Sequence, residues 1–153
     1  MDFPKRKLPR LSGYDYSRSN YYFVTICTDE KKDLFGEIGK LNCFGKIAEQ
    51  KLLEIEQHYE NVFVDKYVIM PNHIHLIIFL HRTMKASSPT KNIENIIRSF
   101  KIMVTKEIGN SIWQISYHDH IIRGEKDYQK IWEYIDTNVV RWEKDCFYND
   151  EKS

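Results

Sequence analysis

The stretch VIMPNHIHLIIFL, residues 68–80, contains two histidines within a run of apolar residues. Its content of Val, Ile, Leu and Phe is typical of a buried strand. Because residues i and i+2 of a strand point to the same face, His73 and His75 are predicted to project side by side, while Ile74 and Leu76 project toward a core on the other face. Buried imidazoles need partners. The pair is therefore either a metal site or a pair of structural histidines.

The turn at Pro71 and Asn72 determines how the sheet is built. It joins VFVDKYVIM (62–70) to the histidine strand through only a few residues, and a parallel pair would need a long crossover. The two strands are therefore predicted to pair antiparallel. Along the chain the predicted order is strand, strand, helix, strand, strand, helix, strand, helix. This order indicates an α+β domain with a central antiparallel sheet and helices packed mainly on one face.

The other elements follow from periodicity and from turn and capping residues. The strand predictions are NYYFVTICT (20–28), a hairpin in LFGEIGKLN (34–42) and WQISYHDHIIR (113–123). The helix predictions are 43–59, a helix with Asn92 as its cap and Gly109 at its end, and roughly 126–143. We divide the chain into a basic arm (1–19), one domain (20–145) and a tail (146–153).

Composition limits the class of protein. The chain has 153 residues, of which 42% are hydrophobic, and a net charge of +1, so bulk charge gives no support for nucleic-acid binding. Its three cysteines include no Cys-x-x-Cys pair, which favours reduced thiols. The longest apolar run is far too short to span a bilayer, and the N-terminus lacks the apolar core of a signal peptide. We expect a soluble cytoplasmic protein with no membrane contact.

The sequence offers two sources for a third metal ligand. The first is YHDH, where His118 and His120 share one face of a predicted strand; four histidines could form a zinc site of the hydrolase type. The second is the last helix, where Tyr134 and Asn138 lie one turn apart on one face. Two imidazoles and an amide oxygen suit Mg²⁺ or Mn²⁺, and a tyrosine beside that ion is placed to act as a nucleophile.

Four stretches of the chain, in order, resemble the REP-associated tyrosine transposases, which are relatives of the single-tyrosine insertion-sequence transposases within the HUH nucleases. They are RLSGYDYSRSNYYFVTICT (10–28), VIMPNHIHLII (68–78), WQISYHDHIIRGEKDY (113–128) and YIDTNVVRW (134–142). The resemblance implies a ferredoxin-like fold. It also implies cleavage and rejoining of single-stranded DNA through a 5′-phosphotyrosine intermediate, with recognition of DNA hairpins.

The resemblance assigns roles to matching positions. It implies that His73, His75 and Asn138 bind the divalent metal and that Tyr134 attacks DNA. One departure is visible, because the chain has Val139 where the family usually has proline after the asparagine. Valine is expected to let the last helix continue toward residue 142, which would change the pose of Asn138.

The expected DNA contacts are basic residues, and each has a plainer interpretation as a solvated charge. They are Lys5, Arg6, Lys7, Arg10, Arg98, Lys101 and Arg123. His118 and His120 are interpreted as second-shell or structural residues. Two other functions remain open: a metal-dependent hydrolase that uses His73, His75 and His120, and a DNA-binding descendant without catalysis. Monomer and homodimer are both compatible with the sequence.

Overall fold

The structure, a computed structural model, describes residues 21–80 and 89–138, with side chains of the second range described from Ile93 onward. The predicted arm (1–19) and tail (146–153) lie outside these residues. Within the described ranges, no helix combines the length and apolarity that crossing a membrane requires.

A four-stranded antiparallel sheet forms the centre of the domain, with the strand order β4-β5-β1-β6. The strands are β1 (Tyr21–Cys27), β4 (Val62–Met70), β5 (His73–Leu80) and β6 (His118–Ile122). A separate hairpin joins β2 (Gly36–Glu37) to β3 (Lys40–Leu41). The two inner strands are β5 and β1, so the histidine strand is paired on both sides.

Helices cover both faces of this sheet. They are α1 (Cys43–Leu53), α2 (Ile55–His58), α3 (Pro89–Ile108) and α4 (Glu125–Asp136). Even-numbered residues of β5, such as Ile74 and Leu76, pack in one core with apolar residues of α1, α2 and α3. Odd-numbered residues, such as Ile77 and Phe79, pack in a second core with α4. The predicted α+β, ferredoxin-like fold with helices mainly on one face is confirmed, and α4 is the helix on the histidine face.

Several predicted boundaries are wrong. The helix predicted over 43–59 is divided at Glu54 into α1 and α2. Because α3 begins at Pro89, Asn92 lies inside the helix and does not cap it, in keeping with the preference of proline for a first helical turn. Gly109, at φ 99°, ends that helix as predicted. The strand predicted over 113–123 is shortened to β6, since Trp113 makes only an isolated bridge to Thr28.

Strand β4 holds α4 against the sheet through polar contacts. An irregularity in its register with β5 lies between Val64 and Lys66, at Asp65. The buried Asp65 carboxylate accepts a hydrogen bond from the Tyr128 hydroxyl of α4. One residue further, the Lys66 ammonium lies 2.8 Å from an oxygen of Asp136 and 3.9 Å from the centre of the Trp132 ring. The extra residue thus turns Asp65 and Lys66 toward the helix.

Replacing Tyr128 with phenylalanine is expected to lower the free energy of unfolding by about 1–3 kcal/mol. The substitution keeps the ring, which packs edge-on against Tyr21 at 5.2 Å, but removes the donor to the buried Asp65 carboxylate. Urea denaturation measures the change. The double variant Tyr128→Phe, Asp65→Asn is the control, because it also removes the buried charge. If Tyr128→Phe alone lowers the free energy of unfolding no more than the double variant does, the role of this hydrogen bond is contradicted.

Candidate metal and tyrosine site

The two histidines of β5 lie together on the face that α4 covers. The side chains of His73 and His75 are 0% and 1% exposed, and their ring centroids are 4.5 Å apart. In the sheet, His73 is opposite Cys27 of β1 and His75 is opposite Thr25. The strand period therefore brings both imidazoles to one buried spot, as the spacing predicts.

Each ring is oriented through its Nδ1 atom. His73 Nδ1 lies 2.7 Å from Asn72 Oδ1, and since an amide oxygen only accepts, the ring donates this hydrogen bond. His75 Nδ1 lies 2.9 Å from Thr25 Oγ1. Metal-binding histidines commonly use one nitrogen in this way and bind the ion through the other. A metal would accordingly be bound through Nε2 of both rings.

Burial keeps His75 neutral. Desolvation, followed by repulsion from His73, lowers the pKa of His75 from 6.5 to about 2. Metal binding requires an imidazole without the second proton. The environment of His75 therefore holds this side chain in the ligand form across the physiological pH range.

This shift gives the metal-free protein a pH-dependent stability. Below pH 6.5 the unfolded chain binds a proton at His75, whereas the folded chain does so only near pH 2. The free energy of unfolding should therefore fall as the pH is lowered, and His75 should contribute about 2 kcal/mol of loss between pH 7.5 and 5. Urea denaturation of the wild type and of His75→Gln, both in EDTA, measures this. Equal losses in the two proteins would contradict the prediction.

Tyr134 of α4 lies over the same part of the sheet. Its half-buried ring contacts the His75 ring at a centroid distance of 5.2 Å and an interplanar angle of 61°. Phe23 of β1 contacts the Tyr134 ring at 6.2 Å and 84°, and the His75 ring at 5.3 Å. The structure therefore brings the predicted nucleophile to the predicted metal ligands within one chain.

Asn138 follows one turn after Tyr134. Its side chain is 1% exposed, and its backbone N–H donates to the Ile135 carbonyl at 3.2 Å. Helix α4 ends at Asp136, with Thr137 as its C-cap. The expectation that the helix continues through Asn138 is therefore wrong, because the backbone leaves regular α geometry before Val139, which lies outside the described residues.

The donor set at this position suits a hard divalent ion. Two imidazoles with oriented Nδ1 atoms lie on one face, and the buried Asn138 follows Tyr134, whose ring contacts that of His75. Across residues 21–80 and 89–138, no three His, Cys, Asp or Glu side chains lie close enough to hold a metal ion. An amide oxygen as the third ligand, with Mg²⁺ or Mn²⁺ as the ion, therefore stays a prediction.

His118 and His120 lie on β6, at an edge of the sheet. Both are exposed; His118 is opposite Thr25 and His120 is opposite Phe23, so they share the face of the histidine pair. His120 Nε2 lies 2.8 Å from an Asp127 oxygen of α4. Because β1 separates β6 from β5, His120 does not join His73 and His75 in a group that could hold a metal ion within the described residues. The three-histidine ligand set of the hydrolase alternative is therefore wrong.

Comparison with known proteins places the chain in a family. No protein-family model matches it. An uncharacterized protein of Haemophilus influenzae is 35% identical to this chain in an alignment that covers 95% of this chain and 94% of the relative. The two belong to one family.

Two solved structures share the fold. The first is a REP-associated tyrosine transposase bound to a REP hairpin, with a TM-score of 0.64 and 21% identity over 81% of this chain and 68% of that one. The second is the crystal structure of a candidate transposase from Deinococcus radiodurans, with a TM-score of 0.52 and 15% identity over 76% of this chain and 88% of that one. The resemblance to tyrosine transposases inferred from the motifs is confirmed at the level of the fold.

The predicted DNA contacts fall in three groups. Four of them lie outside the described residues: Lys5, Arg6, Lys7 and Arg10. Arg98 is exposed on α3, and Arg123 is exposed directly after β6. Lys101 differs, because its half-buried ammonium donates to the Gln114 carbonyl at 2.9 Å, and burial lowers its pKa. Lys101 therefore holds the connection before β6 in position, and its predicted contact with DNA stays a prediction.

Sequence reasoning missed the residues that orient the site. Thr25 and Phe23 were assigned only to a strand, and Asn72 only to a turn. Asn72 is fully buried, and its backbone carbonyl accepts hydrogen bonds from the Thr28 backbone N–H at 3.0 Å and the Thr28 hydroxyl at 3.1 Å. An asparagine directly before the first histidine was the available signal, because Asn Oδ1 is a suitable acceptor for an imidazole N–H.

Proposed function

We propose that this protein is a transposase that cleaves and rejoins single-stranded DNA through a tyrosine. The proposal is supported above all by one observation: the Tyr134 ring lies against His75, which is itself next to His73. The shared fold with a tyrosine transposase agrees with it. A tyrosine beside a candidate metal site is the arrangement that phosphodiester attack requires.

Each residue of the site would have a distinct role in cleavage. Nε2 of His73, Nε2 of His75 and the amide oxygen of Asn138 would hold Mg²⁺ or Mn²⁺. When bound, such an ion neutralises charge on the scissile phosphate and helps to orient it. The phenol oxygen of Tyr134 attacks phosphorus, the bond to the 3′-oxygen breaks, and that oxygen takes up a proton. The products are a 5′-phosphotyrosine link and a free 3′-hydroxyl, whose attack on the link reverses the reaction without ATP.

The packing around Tyr134 supports this role. The ring makes edge-on contacts with His75 and Phe23, and the residue is only half-buried. Orienting a nucleophile toward a fixed phosphate removes entropy cost from the transition state. We propose that packing against the sheet positions the Tyr134 ring for attack.

Hairpin DNA is the proposed partner. The similar transposase structure is bound to a REP hairpin. In this chain the exposed Arg98 and Arg123 are candidates for phosphate contacts, together with the basic arm of residues 1–19. We propose that these residues supply local positive charge that the net charge of +1 conceals.

Covalent capture tests the proposal. The full chain is incubated with Mn²⁺ and 5′- or 3′-labelled hairpin oligonucleotides that carry single-stranded flanks, and the products are separated on a denaturing gel. A DNA–protein band that contains the 5′-phosphate of the cut supports the proposal. Cleavage without a covalent band indicates a hydrolase, and a gel shift without cleavage indicates a DNA-binding descendant; either result would contradict it.

A further inference from the structure

A histidine–carboxylate pair joins β6 to α4, the helix that carries Tyr134, and has no part in the mechanism above. His120 Nε2 of β6 is 2.8 Å from Asp127 Oδ2 of α4. Asp127 Oδ2 also accepts from the Arg123 backbone N–H at 3.3 Å. The His120 side chain is 55% exposed and that of Asp127 is 34% exposed. The pair is therefore open to solvent, in contrast to the buried His73 and His75.

The pair lies on the strand and helix that flank the surroundings of Tyr134: β6 is the neighbour of β1, and β1 is the neighbour of β5. Asp127 and Tyr134 are seven residues apart in the chain, so they share one face of α4. Across the sheet, His75, Phe23 and His120 lie on the neighbouring strands β5, β1 and β6. The Tyr134 ring contacts the first two of these side chains. The third is the cross-strand neighbour of Phe23.

The hydrogen bond to Asp127 determines which nitrogen of His120 is basic. Because a carboxylate accepts, neutral His120 donates through Nε2–H, and Nδ1 then carries the lone pair. A carboxylate that holds an imidazole in one tautomer, with the other nitrogen available to take a proton, is the arrangement of a general base next to a hydroxyl nucleophile. Solvent exposure allows the imidazole to release the proton afterwards.

We propose that His120, oriented by Asp127, is the general base that removes the phenolic proton of Tyr134, directly or through one water molecule. This inference rests on the proposed function. As the bond from the phenol oxygen to phosphorus forms, the proton passes to Nδ1 of His120. The 3′-oxygen leaves with the electron pair of the broken bond and takes a proton from water, and the imidazolium returns its proton to water. The net reaction moves one proton from Tyr134 to the 3′-hydroxyl.

A structural role makes a different prediction. Asp127 is the third residue of α4, and its bond to the Arg123 N–H could by itself fix the start of the helix. If the pair only anchored α4, its loss would misplace Tyr134, and no change in the acidity of the phenol would compensate. If His120 is the base, a more acidic phenol should make it dispensable.

The test compares single-turnover cleavage by the full chain with Tyr134 or with 3,5-difluorotyrosine at position 134. With Tyr134, His120→Gln is expected to slow covalent capture by about 10²-fold or more, while the gel shift with uncleaved DNA is unchanged. With difluorotyrosine, assayed at a pH above the pKa of its phenol, the same substitution should change the rate less than about fivefold, because the proton is already lost. His58→Gln, an exposed histidine of α2 on the opposite face of the domain, is the matched control.

A second readout needs no activity. Long-range ¹H–¹⁵N correlation spectra of the metal-free protein should show His120 as the Nε2–H tautomer, and Asp127→Asn should produce a mixture. If His120→Gln slows cleavage equally with tyrosine and with difluorotyrosine at position 134, the pair only anchors α4 and the proposal is overturned. If His120→Gln cleaves at the unchanged rate, the proposal is overturned as well. In both results the wild type still forms the tyrosine link. A wild type that forms no link overturns the proposed function, and the role of His120 with it.

Discussion

Tyr134→Phe is expected to abolish covalent capture of DNA and to lower cleavage by at least about 10⁴-fold, because it removes the attacking oxygen and nothing replaces it. The ring remains, so its contacts with His75 at 5.2 Å and Phe23 at 6.2 Å should persist. Binding of hairpin DNA should therefore be retained, and the melting temperature should change little. Denaturing gels, gel shifts and calorimetry measure the three quantities.

A matched substitution separates the missing oxygen from general damage. Tyr59→Phe changes a half-buried tyrosine that packs against the core on the α1–α3 face, remote from α4, and should cleave at the wild-type rate. Residual cleavage by Tyr134→Phe with a free 5′-phosphate product would mean that water is the nucleophile. That result would remove the basis for the proposed transposase chemistry.

Loss of one imidazole is the second substitution with a large expected effect. His73→Gln should lower cleavage by more than about 10²-fold, because even outer partners of a metal ligand are worth 10–100-fold. Chelation of the wild type with EDTA should have an effect at least as large, and Mn²⁺ or Mg²⁺ should restore only the wild type. Glutamine approximates the size of the buried imidazole, which limits cavity formation at this fully buried position.

Metal binding can be measured apart from catalysis. At an ion concentration of 100 times Kd, binding to the folded chain should stabilise the wild type by about 2.7 kcal/mol, and His73→Gln should lose this gain. His58→Gln should keep it, since that exposed histidine lies on α2. Equal Mn²⁺-dependent stabilisation of wild type and His73→Gln would exclude His73 as a ligand.

Strict periodicity explains what the sequence predicted well. Alternation along 73–80 assigned His73 and His75 to one face and Ile74 and Leu76 to the other, and both assignments hold in the structure. The short turn after Met70 gave the antiparallel pairing of β4 and β5. These inferences depend only on local geometry, which the sequence carries in full.

Contacts between distant segments explain what it could not predict. Thr25 and His75 are 50 residues apart, and Tyr128 and Asp65 are 63 residues apart. The end of α4 was also misjudged, because residue preference at 139 does not reveal that the helix stops at Asp136. Pairings of this kind depend on how the elements dock, and no periodicity encodes that.

The extra residue at Asp65 lets β4 direct two successive side chains toward α4. Beyond it, Lys66 and Val68 point toward α4, and Val68 pairs with His75. Deleting the Asp65 codon would restore simple alternation without changing the faces of the later residues, and it would remove the carboxylate that accepts the Tyr128 hydrogen bond. Insertions or deletions at other positions of β4 would instead shift its pairing with β5 by one residue and exchange its two faces. They should therefore be tolerated far less well than substitutions.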